Sequence, residues 1–175
     1  AELAEATGDL VDEAALAQQG QSAQVRITGL YQSAGGGESV SGLRREMNTT
    51  MEAGAGIYRT DESLRKTCTT ISDITRRYAN IELEDKSNVY NTDLIQALEL
   101  GAMIDVAGAI AVCARERKES RGSHQRLDFV ARDDENYLKH SLAQYVVGGE
   151  PVIGYRDVVI THSPPGARVY GGEQK

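Results

Sequence analysis

Tryptophan is absent from this 175-residue chain, phenylalanine occurs once, and the aromatic supply is otherwise eight tyrosines. A core must then be built mainly from Leu, Ile, Val, Ala and Met, which favours packed helices over a sandwich of sheets. Cysteine is nearly as scarce. Cys68 and Cys113 stand far apart, with no Cys-x-x-Cys and no histidine at metal spacing. That argues against a disulfide framework or a zinc ribbon, and the two thiols read as buried and reduced. An excess of positive charge is missing too: 19 Lys and Arg against 26 Asp and Glu give a net charge of −7. Non-specific binding to nucleic acid or anionic lipid is disfavoured, so no nucleic-acid partner is expected. No signal peptide is expected, and an opening at Ala1 without an initiating Met suits a piece of a longer chain.

Long apolar runs are also wanting. The best is Ala97 to Ala114, "ALELGAMIDVAGAIAVCA", whose length approaches a bilayer span. Glu99 and Asp105 interrupt it, and each is costly at a membrane centre. A helix buried in a bundle is expected there, with no direct membrane insertion.

What the chain does have is helical periodicity. Glu2 to Ala34 predicts a first helix, weakened near Gly20 and broken at Gly35-Gly36-Gly37. A second starts near Ser39 or Ser41, carries Val40, Leu43, Met47 and Met51 on one stripe, and ends at Gly54-Ala55-Gly56, where glycine can supply a left-handed cap. Thr60-Asp61-Glu62-Ser63 is a start signal for a third, with Leu64, Cys68, Ile71, Ile74 and Tyr78 on its apolar face. A charged link, Glu82 to Lys86, follows. Asn91-Thr92-Asp93 opens the fourth and longest helix, running to about Arg117, with Leu94, Leu98, Ala102, Val106, Ala109 and Cys113 as a stripe of mostly small residues. The expected architecture is mainly α: three or four packed antiparallel helices over residues 1–120.

After residue 120 the period changes. A short helix is expected from about Asp134 to His140, then a β-hairpin in "AQYVVGGEPVIGYRDVVI" turning at Gly148-Gly149, then an extended ending from Pro164-Pro165 to "GGEQK". Residues 121–175 form this tail.

The densest polar chemistry lies where bundle meets tail, in "KESRGSHQRLDFVARDDENYLKHSL". A hydrolase triad from Ser120 or Ser123, His124 and Asp128 has the right residue types but lacks a nucleophile elbow and an oxyanion donor. A metal site from His124, His140 and Asp133 lacks ligand pairs at helical spacing. A structural network, with guanidinium groups forked onto carboxylates, needs only what is present and is preferred. The pieces "GGGES" and "GAGIYR" match neither a dinucleotide fingerprint nor a P-loop, so no cofactor site is expected within the chain.

That stretch, preceded by "EAGAGIYRT" and "VYNTDLIQALELG" and followed by "VVITHSPPGARVYGGE", resembles the C-terminal region of the fumarate reductase/succinate dehydrogenase flavoprotein family, over about Leu43 to Glu173. The proline pair and the Arg168-to-Glu173 ending lean towards the fumarate reductase branch. The resemblance implies a spectrin-like three-helix region, FAD held by an upstream flavin-binding domain, an iron–sulfur partner subunit, and a peripheral place on the cytoplasmic side of the inner membrane. The family's flavin- and substrate-binding residues lie upstream, so no catalytic residue is carried over. Arg121, Gly122, His124, Arg126, Arg132, Asp133, Asp134 and His140 then form an expected polar junction between bundle, tail and neighbours. The rival expectation is a freestanding helical adaptor with no enzyme attached, and a third is the succinate dehydrogenase direction of the same chemistry.

Overall fold

Helix caps and apolar stripes together set the order of elements. The computed structural model of the chain describes residues 12–33, 37–163 and 165–166. The expected start of the first helix, Gly35, Gly36, Pro164 and the "GGEQK" ending lie outside the described residues. Helix α1 (Glu13–Gln32) is capped by Asp12, whose side chain accepts from the amides of Ala14 and Ala15. It runs unbroken through Gly20, and none of its residues is buried. Only its last turn, with Leu30 and Tyr31, packs on the core.

The bundle proper is α2 (Val40–Ala55), α3 (Asp61–Tyr78) and α4 (Thr92–Glu116), each packed against the other two. Ser39 caps α2 and Asn91 caps α4. Thr60 and Ser63 form a reciprocal capping box on α3, as the start signal requires. The α2 ending differs from expectation: Gly56 has φ −63, not a left-handed conformation, because the chain turns at once into the strand β1 (Tyr58–Arg59). Close packing explains the neighbouring glycine. A Cβ at Gly54 would sit 2.0 Å from Thr67 Oγ1, so the α2–α3 crossing has no room for alanine.

The core is aliphatic. Leu43, Leu64, Ile74, Ala97 and Leu100 are fully buried, and each large member contributes about 1.5–3 kcal/mol of transfer free energy. The buried row of α4 is Ala97, Leu100, Ile104, Ala107, Ala111 and Ala114, alternating three- and four-residue steps. The expected stripe was misplaced: Ala102 is exposed, as is Val106. Repeated four-residue steps rotate around a helix, and only alternation with threes keeps one face inward. The charged link also hides core residues. Ile81 and Leu83 are each 1 % exposed while Glu82 and Glu84 point out, so this segment is a strap closing the bundle.

Beyond α4, β2 (Gln125–Arg126) pairs in parallel with β1, in register Tyr58 with Gln125 and Arg59 with Arg126. Helix α5 (Asp134–Tyr137) is a single turn. The hairpin of β3 (Lys139–Gln144) and β4 (Val152–Asp157) is antiparallel, and Gly148 has φ +68 in its tip. His140 belongs to β3, opposite Arg156, and not to the short helix. A four-residue turn has no apolar face to extend, whereas the strand gains six paired positions.

Candidate polar junction

Two helix ends meet beneath the loop that follows α4. The last carbonyls of α4 have no partners inside the helix and carry partial negative charge; the first amides of α3 carry the reverse. Arg126, 1 % exposed, answers the first: its Nη1 donates to the carbonyls of Ala114, Arg115 and Arg117 at 3.2, 3.1 and 3.4 Å. Its Nε and Nη2 fork onto Asp128 at 2.7 and 2.8 Å. Asp128 in turn accepts from the amide of Asp61, the first residue of α3, at 2.8 Å. One ion pair therefore joins the negative end of α4 to the positive end of α3. The pairing with Arg126 holds the Asp128 carboxyl well below the usual carboxylate range. The Phe129 ring lies 4.9 Å from the guanidinium carbon, and the Ser120 hydroxyl accepts from the Arg126 amide at 2.8 Å.

His124 is wedged beside this pair. Its Nδ1 lies 2.7 Å from Nη1 of Arg59, and its Nε2 lies 3.0 Å from the carbonyl oxygen of Arg117. A guanidinium only donates, so Nδ1 must be the bare acceptor and Nε2 must carry the proton. The ring is neutral. Burial, then the nearby Arg59, Arg126 and Arg117, push its pKa down, against the opposing pull of the Arg117 carbonyl. Gly122 has φ +59, and backbone bonds in both directions between Arg121 and His124 close a tight reverse turn around it. A side chain at that φ is strained.

A second network ties the loop to the tail. Glu119, 0 % exposed, accepts from Arg121 at 2.8 and 3.0 Å and from the amide of Asp133 at 2.8 Å. Arg121 also donates to Asp134 at 2.6 Å, and Arg132 to the other Asp134 oxygen at 2.6 Å. Asp133 caps α5 through the amide of Asn136. Arg117 reaches the carbonyls of Tyr137 and Lys139 at 2.8 and 2.7 Å.

Nothing in this arrangement assembles a nucleophile. The Ser120 hydroxyl bonds only backbone groups, and Asp128 faces Arg126 rather than His124. Among the described residues no three His, Cys, Asp or Glu side chains converge as metal ligands.

The sequence profile described as fumarate reductase flavoprotein C-term matches residues 44–170. The chain belongs to that family. A fumarate reductase flavoprotein subunit from Haemophilus influenzae is 48% identical over 93% of this chain and 27% of its own length. A succinate dehydrogenase flavoprotein subunit from Rickettsia conorii is 39% identical, over 78% of this chain and 24% of its own. Among solved structures, an Escherichia coli quinol fumarate reductase FrdA variant superposes with a TM-score of 0.88 at 43% identity, covering 97% of this chain and 29% of that one. The chain spans about a quarter of the length of the curated relatives it matches.

Within this flavoprotein C-terminal domain, seven of the eight expected junction residues do lie together. Arg121, Arg132, Asp133 and Asp134 share the Glu119 network, Gly122 makes the turn, and His124 and Arg126 lock the helix ends. His140 stands apart, exposed on β3. Residues not named in advance are as central. Glu119 sits buried at the middle of its network, and Arg59, brought in by the β1–β2 pairing, fixes the His124 tautomer. A carboxylate followed at once by Ser-Arg-Gly was the available signal for Glu119; Arg59 carried none, since its partner is distant in sequence.

Proposed function

We propose that this chain is the structural and docking domain of a fumarate reductase flavoprotein subunit, with residues 1–120 as the helical bundle and 121–175 as the tail. The parent protein takes electrons from quinol through the centres of an iron–sulfur subunit to FAD and reduces fumarate to succinate. FAD supplies hydride chemistry when bound, in an upstream domain. The parallel pair β1–β2 is only two residues long, and no glycine-rich phosphate loop leads from a strand into a helix among the described residues, so no step of that chemistry is assigned to them. Their part is mechanical: Arg126 and Asp128 fix the angle between α3 and α4, and Arg121 with Glu119 holds the tail on the bundle. The junction of Arg121, Gly122, His124, Arg126, Arg132, Asp133 and Asp134, with His140 exposed apart from it on β3, faces the flavin domain and the iron–sulfur subunit. The assembled protein sits peripherally on the cytoplasmic side of the inner membrane.

The observation that carries this reading is 48% identity to a fumarate reductase flavoprotein over 93% of the chain. The 39% identity to a succinate dehydrogenase flavoprotein keeps the reverse direction as a second reading. The upstream reading frame provides the test. A GxGxxG flavin domain there, and succinate formed from fumarate and a reduced dye by the full-length protein, are expected. A start codon directly before Ala1 with nothing upstream would leave a freestanding adaptor instead.

A further inference from the structure

We propose that the space between the β3–β4 hairpin and the groove of α3 and α4 is a binding chamber for a small uncharged aromatic ligand, with the hairpin as its lid. The chamber holds about 360 Å³, within the range of small-molecule sites. Its floor is Ile71, Ile104, Ala109 and Val112, and its roof Val146, Gly149 and Pro151. Every wall residue comes from 68–151 of this one chain, so no upstream segment is needed to form it.

Two further features point the same way. Gly108 lines the chamber in mid-helix, yet a Cβ there would make only an ordinary 3.8 Å contact with Ile71. Helix packing does not demand this glycine, whose smallness keeps the space open. The lid is latched at one point: Arg115 forks onto Glu150, in the hairpin loop, at 3.0 and 3.1 Å. On the inner side Ile153 packs on Cys68, Ala111 and Val112, giving the hairpin a fixed foot beside a releasable tip.

The rim selects charge. Arg76 is paired with Asp73 and Arg115 with Glu150, so each cation on this side already carries a counter-charge. Asp105 adds a carboxylate to the rim, and the Ser72 hydroxyl a polar contact. A neutral one- or two-ring aromatic molecule with a single polar atom fits this chemistry, and an anion does not.

Thermal unfolding of the 175-residue chain with indole and with 2-naphthol tests the proposal. A tenfold excess over Kd should raise Tm by about 3 °C, since the ligand binds only the folded state. Naphthalene-2-sulfonate should bind at least tenfold more weakly. Gly108→Leu should leave the unliganded Tm unchanged or higher while removing the ligand shift; if it does not fold, Ala109→Val takes its place. In a Cys113→Ser background, ligand should slow thiol labelling of Cys68, and Glu150→Gln should speed both labelling and ligand release several-fold. No shift with either probe, or an equal shift in the filled variant, overturns the chamber. Labelling and release that ignore Glu150→Gln overturn the lid.

Discussion

Nη1 of Arg59 lies 2.7 Å from Nδ1 of His124, across the only parallel strand pair among the described residues. The contact exists only while His124 is neutral, because a proton on Nδ1 would face a guanidinium. Arg117 and Arg126 add further positive charge around the ring. This residue therefore makes the junction sensitive to acid.

The sign follows from linkage. The folded-state pKa of His124 lies below its ordinary value near 6.5, so between the two values the unfolded chain binds more protons than the folded one. Stability is full above about pH 6.5 and falls as pH drops through that window. Urea midpoints measured from pH 7.5 to 5 should decline. His124→Gln, whose amide can accept from Arg59 and donate to the Arg117 carbonyl, should flatten that decline at a cost of about 1 kcal/mol or less at pH 7.5. The depressed carboxylates, Asp128 and Asp134 among them, act in the same direction but only below about pH 4. A slope between pH 7.5 and 5 that survives His124→Gln would assign the effect elsewhere.

Two glycine substitutions should move stability in opposite directions. At Gly54 an added Cβ would lie 2.0 Å from Thr67 Oγ1 and 3.0 Å from the Ser63 carbonyl. Gly54→Ala should therefore destabilise by about 1–3 kcal/mol, despite the better helix propensity of alanine. Thr67→Ala in the same background should recover part of the loss. At Gly20 nothing lies within 4 Å, so Gly20→Ala should strengthen α1 by about 1 kcal/mol, read as slower amide exchange in that helix. Equal effects at the two sites would mean that backbone propensity, not the α2–α3 crossing, governs both.

The helices were legible because their ends carry local signals: Ser39, Thr60 with Ser63, and Asn91 cap where the sequence places them. The inner face of α4 was not. That helix is apolar nearly all round, with exposed Ile95, Val106 and Ile110 opposite its buried row, so periodicity alone fits several faces. Ile81 and Leu83 were hidden for the opposite reason, since two apolar residues between acids resemble a solvated link until the strap is seen closing the bundle. At the junction, residue types were readable but partners were not. Arg59 reaches His124, and Asp128 the Asp61 amide, only through the β1–β2 pairing, a contact between distant segments.

Arg121 tests the docking reading. It is 26% exposed and spans buried Glu119 and surface Asp134. In the full-length enzyme Arg121→Ala should lower assembly with the iron–sulfur subunit, flavin content or turnover. Unchanged values for all three would remove the junction's docking role. An equal loss of stability in the 175-residue chain would trace the effect to stranded Glu119 instead.

The Arg126–Asp128 pair offers the sharpest energetic test. Asp128→Asn leaves the buried guanidinium with its carbonyl partners and only the Asp61 carboxylate, 3.9 Å from Nη2, as counter-charge, a change that costs about 3 kcal/mol when a buried pair loses one member. Arg126→Met strips the donor from the carbonyls of Ala114 and Arg115 at the end of α4 but leaves Asp128, 31% exposed, able to turn to water. Once Arg126 is gone, Asp128→Asn should cost far less than it does alone, because the charge it stranded is no longer there. Urea unfolding of the two single variants and the double should give a coupling above about 1 kcal/mol. Strict additivity would mean that the helix ends are held by their carbonyl and amide contacts separately, and that the ion pair does not bind α3 to α4.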